Sequence, residues 1–241
     1  MTLVEHNDGL TLRQAAVTAG FAYLLNPVSY ADFSIYPRLV IPGKIEQTTQ
    51  NIASHPGLFT AAILCYLASF IGDVVLAWAL YHLLAPVNRA VSLLTAWFQL
   101  IYAAMAFISV FNLVTALRLI TQPDYLTAFG SDQLHAQVKL LLGSFHPEWS
   151  LSLVLFGIHL CLLGYLVYRS RYIPRVIGIL LAINGLGWII DSLQPYLFPT
   201  AKLGFIFITF FGELIFMLWL LIMGWKIKTP ASYPCRSSVT T

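Results

Sequence analysis

Three observations predict an all-α polytopic membrane bundle with six transmembrane helices and both termini cytoplasmic. Hydrophobic residues fill 59% of the 241 positions and charged residues only 10%, where a soluble domain carries about 25% charged residues. Apolar stretches of bilayer-spanning length, ~20 residues, recur along the chain. The basic residues gather in the short turns between those stretches.

The first span is expected over about 12–33, interrupted by Asn26-Pro27, because proline removes a backbone donor and favours a kink or early unwinding. Ser34–Pro56 is too polar and proline-broken to cross, although Ile45–Ser54 suits a short interfacial helix. The second span is 57–84, with Asp73 near its centre, and Ala85–Arg89 is a tight turn. The third span is 90–120. Thr121–Glu148 reads as a polar loop with Pro123, Gly130 and His146-Pro147. The fourth and fifth spans, 149–168 and 173–198, flank Arg169–Arg175. The sixth is 204–225. Residues 1–228 form one domain, and 229–241 is expected to be a disordered tail. The start, Met1–Arg13, lacks the basic segment and cleavage site of a signal peptide, so the first helix is expected to stay in the mature protein.

Six spans put Arg13, Arg89, Arg169, Arg171, Arg175, Lys226, Lys228 and Arg236 on one side, and only Arg38, Lys44, Arg118, Lys139 and Lys202 on the other. The positive-inside rule makes the richer side cytoplasmic. A net charge of +3 distributed this way orients a membrane protein and gives no nucleic-acid surface. The localisation that follows is the cell membrane, with membrane lipid as the surrounding partner. Cys65, Cys161 and Cys235 are unclustered and offer no metal spacing. The hairpins of spans two–three and four–five echo each other, each turning through a proline and an arginine and each carrying one mid-span ionisable group, Asp73 and His159.

The residues so assembled resemble a bacterial family of multi-pass membrane proteins, domain of unknown function 4386. The matching pieces are Val40-Ile-Pro-Gly43 with Asn51-Ile52; Asp73 with Tyr81–Arg89; Phe156-Gly-Ile-His159 with Leu163-Gly-Tyr-Leu166; Tyr168-Arg-Ser170 and Tyr172-Ile-Pro-Arg175; Asp191-Ser192; and Gly212-Glu213 with Trp219-Leu220 and Gly224. They cover about Leu12 to Trp225. Gln99 stands where the family usually has an arginine. The resemblance implies a multi-pass membrane protein and no established activity.

An ionisable residue inside a span costs roughly 2.5–3.5 kcal/mol on insertion scales unless paired or hydrated. Asp73, His159 and Glu213 fall near one mid-membrane level, and Asp191 lies ~10 Å further outward at 1.5 Å per residue. These four are the expected ligand-binding residues, in a polar cluster opening outward, with the histidine as counter-charge. Asn112, Thr115, Asn184 and Gln194 are neighbours that could join it. The alternative for each group is a hydrogen bond that glues helices together. Glycines 157, 164, 178, 185 and 187 suit close helix packing. No HExxH, GxSxG or phosphate-binding loop is present, and no cofactor or metal is expected.

Three functions compete. The first is binding or transport of a small lipophilic or cationic molecule at the acids. The second is a membrane enzyme acting on a lipid or isoprenoid, with Asp73 or Glu213 as the catalytic acid and Trp188, Phe211 and Trp219 shielding a carbocation. The third is a scaffold with no ligand site. The sequence leaves the substrate and oligomeric state open.

Overall fold

The computed structural model describes residues 10–122, 124–125, 129–197 and 211–227. Among these the elements are helices and turns, with no strand. Helix α1 (Leu12–Leu24) opens on a capping box: Thr11 Oγ1 accepts from the Gln14 amide at 3.2 Å, and Gln14 Oε1 accepts from the Thr11 amide at 3.0 Å. It ends where Asn26-Pro27 was expected to interrupt it. Asn26 Oδ1 accepts from the Val28 amide at 3.1 Å, and the chain restarts as α2 (Val28–Tyr30), a π-turn (Ala31–Ile35) and α3 (Tyr36–Leu39). The expected span 12–33 is therefore two pieces.

Helix α4 (Ile45–Ser54) coincides with the expected interfacial helix and buries Thr48 and Ile52. The turn before it explains its family-like residues. Gly43 takes φ +76°, which favours glycine, and Asn51 Nδ2 donates to the Leu39 carbonyl at 3.3 Å.

Four helices are long and apolar enough to cross a membrane: α5 (Pro56–Leu84), α6 (Arg89–Thr121), α7 (Ser131–Arg169) and α8 (Arg175–Leu197). Helix α9 (Phe211–Met223) runs into a 3₁₀ turn, Gly224–Lys226. The end of the expected fifth span, the start of the sixth and the tail 229–241 lie outside the described residues.

Thr121–Glu148 is corrected by the structure. From Ser131 onward it is helix, continuous with the fourth span through Pro147. Leu134, Val138, Leu142 and Phe145 are buried at helical spacing, so packing of this stripe outweighs the one backbone bond the proline removes. The carbonyl that loses its usual donor is that of Gly143, four residues earlier, on an exposed turn.

The four long helices close into a ring with α1 and α9: α1 on α5, α5 on α6, α6 on α7, α7 on α8, α8 on α9, and α9 back on α1. One end of the ring gathers both tight turns, since Tyr172 Oη donates to the Leu83 carbonyl. The opposite end gathers the π-turn, α3, α4 and the outer half of α7, where Tyr36 packs on Phe145. Helices α1 and α9 are antiparallel: Gly20 lies against Leu221, Gly224 against Ala16, and Arg13 over the Trp225 ring at 5.3 Å. The outward faces are apolar too, with Ile71 and Trp78 on α5 and Trp97 and Ile108 on α6 exposed. A helix apolar all round is a buried or membrane helix.

Helices α7 and α8 approach backbone to backbone. A Cβ on Gly157 would lie 2.5 Å from the Gly185 carbonyl oxygen, and one on Gly164 2.5 Å from that of Gly178. The contacts are reciprocal, so two glycines seven residues apart on each helix make one seam.

A polar centre inside the helix ring

The ring focuses polar side chains inward at one level. Asp73 on α5 is buried at 7% exposure, and its charge and that of Glu213 on α9 act on each other. Gln99 on α6 faces Asp73, while Asn184 and Trp188 on α8 face Glu213. Tyr23 on α1 and Tyr102 on α6 lie within the field of both acids. Counted at ~1.5 Å per residue from the turn end of each helix, all these groups sit about midway through the bundle.

The centre is poorly satisfied. Gln99 and Asn184 reach toward the acids, yet both side-chain polar atoms of each lack a hydrogen bond of full geometry. So do the Trp188 indole nitrogen and the Tyr23 hydroxyl. Native proteins pair the great majority of such buried atoms, and leaving one unpaired costs about 1–3 kcal/mol. Two carboxyls within each other's field repel when both are ionised. Among the described residues no lysine, arginine or histidine makes a salt bridge to either. The arrangement suits a guest that is positively charged and able to hydrogen-bond.

Of the four expected ligand-binding residues, Asp73 and Glu213 lie at one level of the ring, within each other's field. His159 does not join them. Its Nδ1 hydrogen-bonds the Thr95 carbonyl at 2.9 Å, one turn from Gln99. A carbonyl only accepts, so Nδ1 carries the proton, and the buried Nε2 has no partner. The ring stacks on Phe156 at 5.8 Å and lines a crevice with Ala77, Leu80, Ser92 and Leu166 too narrow for water. Asp191 is half-buried and stands seven residues after Asn184, on the same stripe of α8 as Asn184 and Trp188. Asn112 is engaged elsewhere, donating to Glu148 Oε2 at 2.6 Å, and Thr115 is exposed. Among the aromatics expected to shield a cation, Trp188 sits at the acids, whereas Phe211 is 51% exposed on the outer face.

A second polar cluster escaped the sequence reading. Tyr66 Oη donates to Asp32 Oδ1 at 2.8 Å, and His146 Nε2 lies 3.7 Å from the same oxygen. Tyr36, Phe145 and Trp149 wall it with aromatic rings. The polar loop expected over Thr121–Glu148 separates His146 from any span. The signal that could have found the cluster is the apolar period running through His146 into the fourth span.

The protein family model described as "Domain of unknown function (DUF4386)" matches residues 18–224. An uncharacterized protein of Archaeoglobus fulgidus is 36% identical over 184 residues, covering 76% of this chain and 91% of that protein. No solved structure matches. The match to the family model spans most of the helix ring, polar centre included, and the chain belongs to the DUF4386 family.

Proposed function

We propose that this is an integral protein of the cell membrane that binds or transports a small lipophilic or cationic molecule at the Asp73–Glu213 pair. In this reading residues 1–228 form one six-span domain, with α1 to α3 as the first crossing, α9 as part of the sixth, and both termini cytoplasmic. The observation that carries the binding reading is the polar centre. Gln99 faces Asp73, and Asn184 and Trp188 face Glu213, without a hydrogen bond of full geometry; the Tyr23 hydroxyl also lacks one, and the two acids have no cation among the described residues. Glue between helices would pair such groups with one another. A cationic guest would relieve the repulsion between the acids and take up the orphaned donors and acceptors. His159 is a packing residue in this reading, and Asp191 lies one to two turns outward along the α8 stripe that leads to the centre.

Trp188 beside Glu213 also keeps the enzyme reading in play, since an indole face stabilises a carbocation as well as a bound cation. Native mass spectrometry of the purified protein beside an Asp73→Asn/Glu213→Gln double variant separates the cases. A discrete bound mass that the variant loses is the expected result. A ligand converted to an isomer or cyclised product on incubation would favour the enzyme. No bound species in either protein, with equal thermal stability, would leave the acids structural.

A further inference from the structure

We propose that the protein exchanges protons for its cation, with Asp32, Tyr66 and His146 as the outer proton-loading site for Asp73 and Glu213. The inference rests on the reading above that the acid pair holds a cation. A cation leaving a buried pair of carboxylates exposes their repulsion in a low-dielectric interior. A proton entering as a monovalent cation leaves keeps the charge of the pair constant: a carboxyl O–H bond is made as the imidazolium N–H bond of His146 breaks, and the imidazole takes its next proton from the medium.

The outer cluster is built to receive that proton. The His146 side chain is 43% exposed and that of Asp32 25%, so both reach the medium at the end opposite the tight turns. A proton taken by the imidazole is held by Asp32 at 3.7 Å. The groups facing His146 are Asp32 from the π-turn, the Tyr36 ring from α3 at 4.9 Å, and Trp149 on its own helix. Tyr66 reaches it through Asp32, and neighbouring Glu148 is engaged by Asn112. Those facing Asp73 are Glu213, Gln99, Tyr23 and Tyr102.

Two features connect the clusters. Tyr66, Phe70 and Asp73 share one face of α5 at spacings of four and three residues. Asp32 therefore stands about two turns, ~10 Å, above the inner acids. Trp149, stacked on His146, donates from Nε1 to Tyr102 Oη at 3.4 Å. Tyr102 thus touches the aromatic wall of the outer cluster while lying in the field of the inner acids; the indole N–H only donates, so this contact positions Tyr102 and does not relay the proton. Both ends of the Asp32–His146 contact also sit where the helices are irregular. Asp32 lies in a π-turn, a geometry frequent at functional sites, and His146 immediately precedes Pro147.

The test uses the full-length protein and guanidinium as probe, a cation that donates hydrogen bonds and keeps its own proton at the pH of the assay, in weakly buffered detergent with a pH dye and in proteoliposomes. Wild type is expected to release one proton per cation bound, and its Kd to rise about tenfold per pH unit on acidification, as one exchanged proton requires. Asp32→Asn, His146→Gln and Tyr66→Phe should bind the probe at pH 8 within a few-fold of wild type. Their probe efflux after acidification of the outer medium should fall about tenfold or more, a tenfold loss corresponding to 1.4 kcal/mol. Asp73→Asn/Glu213→Gln should not bind. Binding with a pH-independent Kd and no proton release would overturn the exchange and leave the cation reading standing. Wild-type efflux in all three outer variants would overturn the outer site. No binding by wild type would remove the cation reading and the exchange together.

Discussion

The α7–α8 seam and the polar centre lie in the same ring and treat burial in opposite ways. The seam is made of Gly157, Gly164, Gly178 and Gly185, and it brings backbones together with no polar side chain to satisfy. The centre places Asp73, Gln99, Asn184 and Glu213 in the interior and leaves most of their neighbours unpaired. A chain selected only to hold six helices together has the first solution available along its whole length. The contrast sets close backbone packing in α7–α8 against buried polar chemistry where α1, α5, α6, α8 and α9 converge.

The sharpest way to break the comparison is at the seam. Gly157→Leu places its first added carbon 2.5 Å from a carbonyl oxygen, and it should cost about 3 kcal/mol or more, at the upper end of overpacking penalties. Loss of the monodisperse peak on size exclusion is the expected result. Gly143→Ala, on the same helix with nothing within 4 Å of the added carbon, should instead stabilise by about 0.5–1 kcal/mol through helix propensity. If both variants behaved alike, the seam would not be special.

At the centre the expected effect is on binding, with the fold retained. Asp73→Asn or Glu213→Gln should weaken guanidinium binding by about 3 kcal/mol, roughly a hundredfold in Kd. Thermal stability should stay within about 1 kcal/mol, because the carboxamide removes a like-charge contact as it removes a charge. Tyr66→Phe takes the donor from a partly exposed carboxylate and should cost about 1 kcal/mol, read from thermal melting in detergent. His159→Phe should change stability by less than about 1 kcal/mol, since the Nδ1 bond to Thr95 and the orphaned Nε2 are lost together. A larger loss, accompanied by loss of probe binding, would return His159 to the site.

The smallest effect belongs to the turn end. Burial pushes the Tyr172 phenol up, which keeps it a donor to the Leu83 carbonyl. The unfolded phenol ionises near pH ~10, so above that pH only the unfolded state gives up the proton. Stability is fully present below that pH and declines as pH rises through it. Tyr172→Phe should flatten the alkaline limb of the melting curve without moving Tm at pH 7 by more than the single hydrogen bond accounts for.

Most of the scaffold was legible in the sequence. Apolar runs of spanning length, the interruption at Asn26-Pro27, the helix at Ile45–Ser54 and the tight turns at Ala85 and Ser170 all follow from local rules of hydropathy, proline and charge. Those rules act over a few residues and need no partner. They failed at Thr121–Glu148, because a proline was weighed as a break while the stripe Leu134, Val138, Leu142, Phe145 was the stronger term. Tertiary structure alone decided which buried polar groups meet. Asp73, His159 and Glu213 have similar depths in their helices, but depth says nothing about the direction a side chain faces around the ring. The packing of α1 against both α5 and α9 gathers the two acids, while the close approach of α7 to α6 turns His159 onto Thr95. The Asp32–Tyr66–His146 contact needs a π-turn and a helix that continues through proline, two exceptions to local preference that only long-range packing can stabilise.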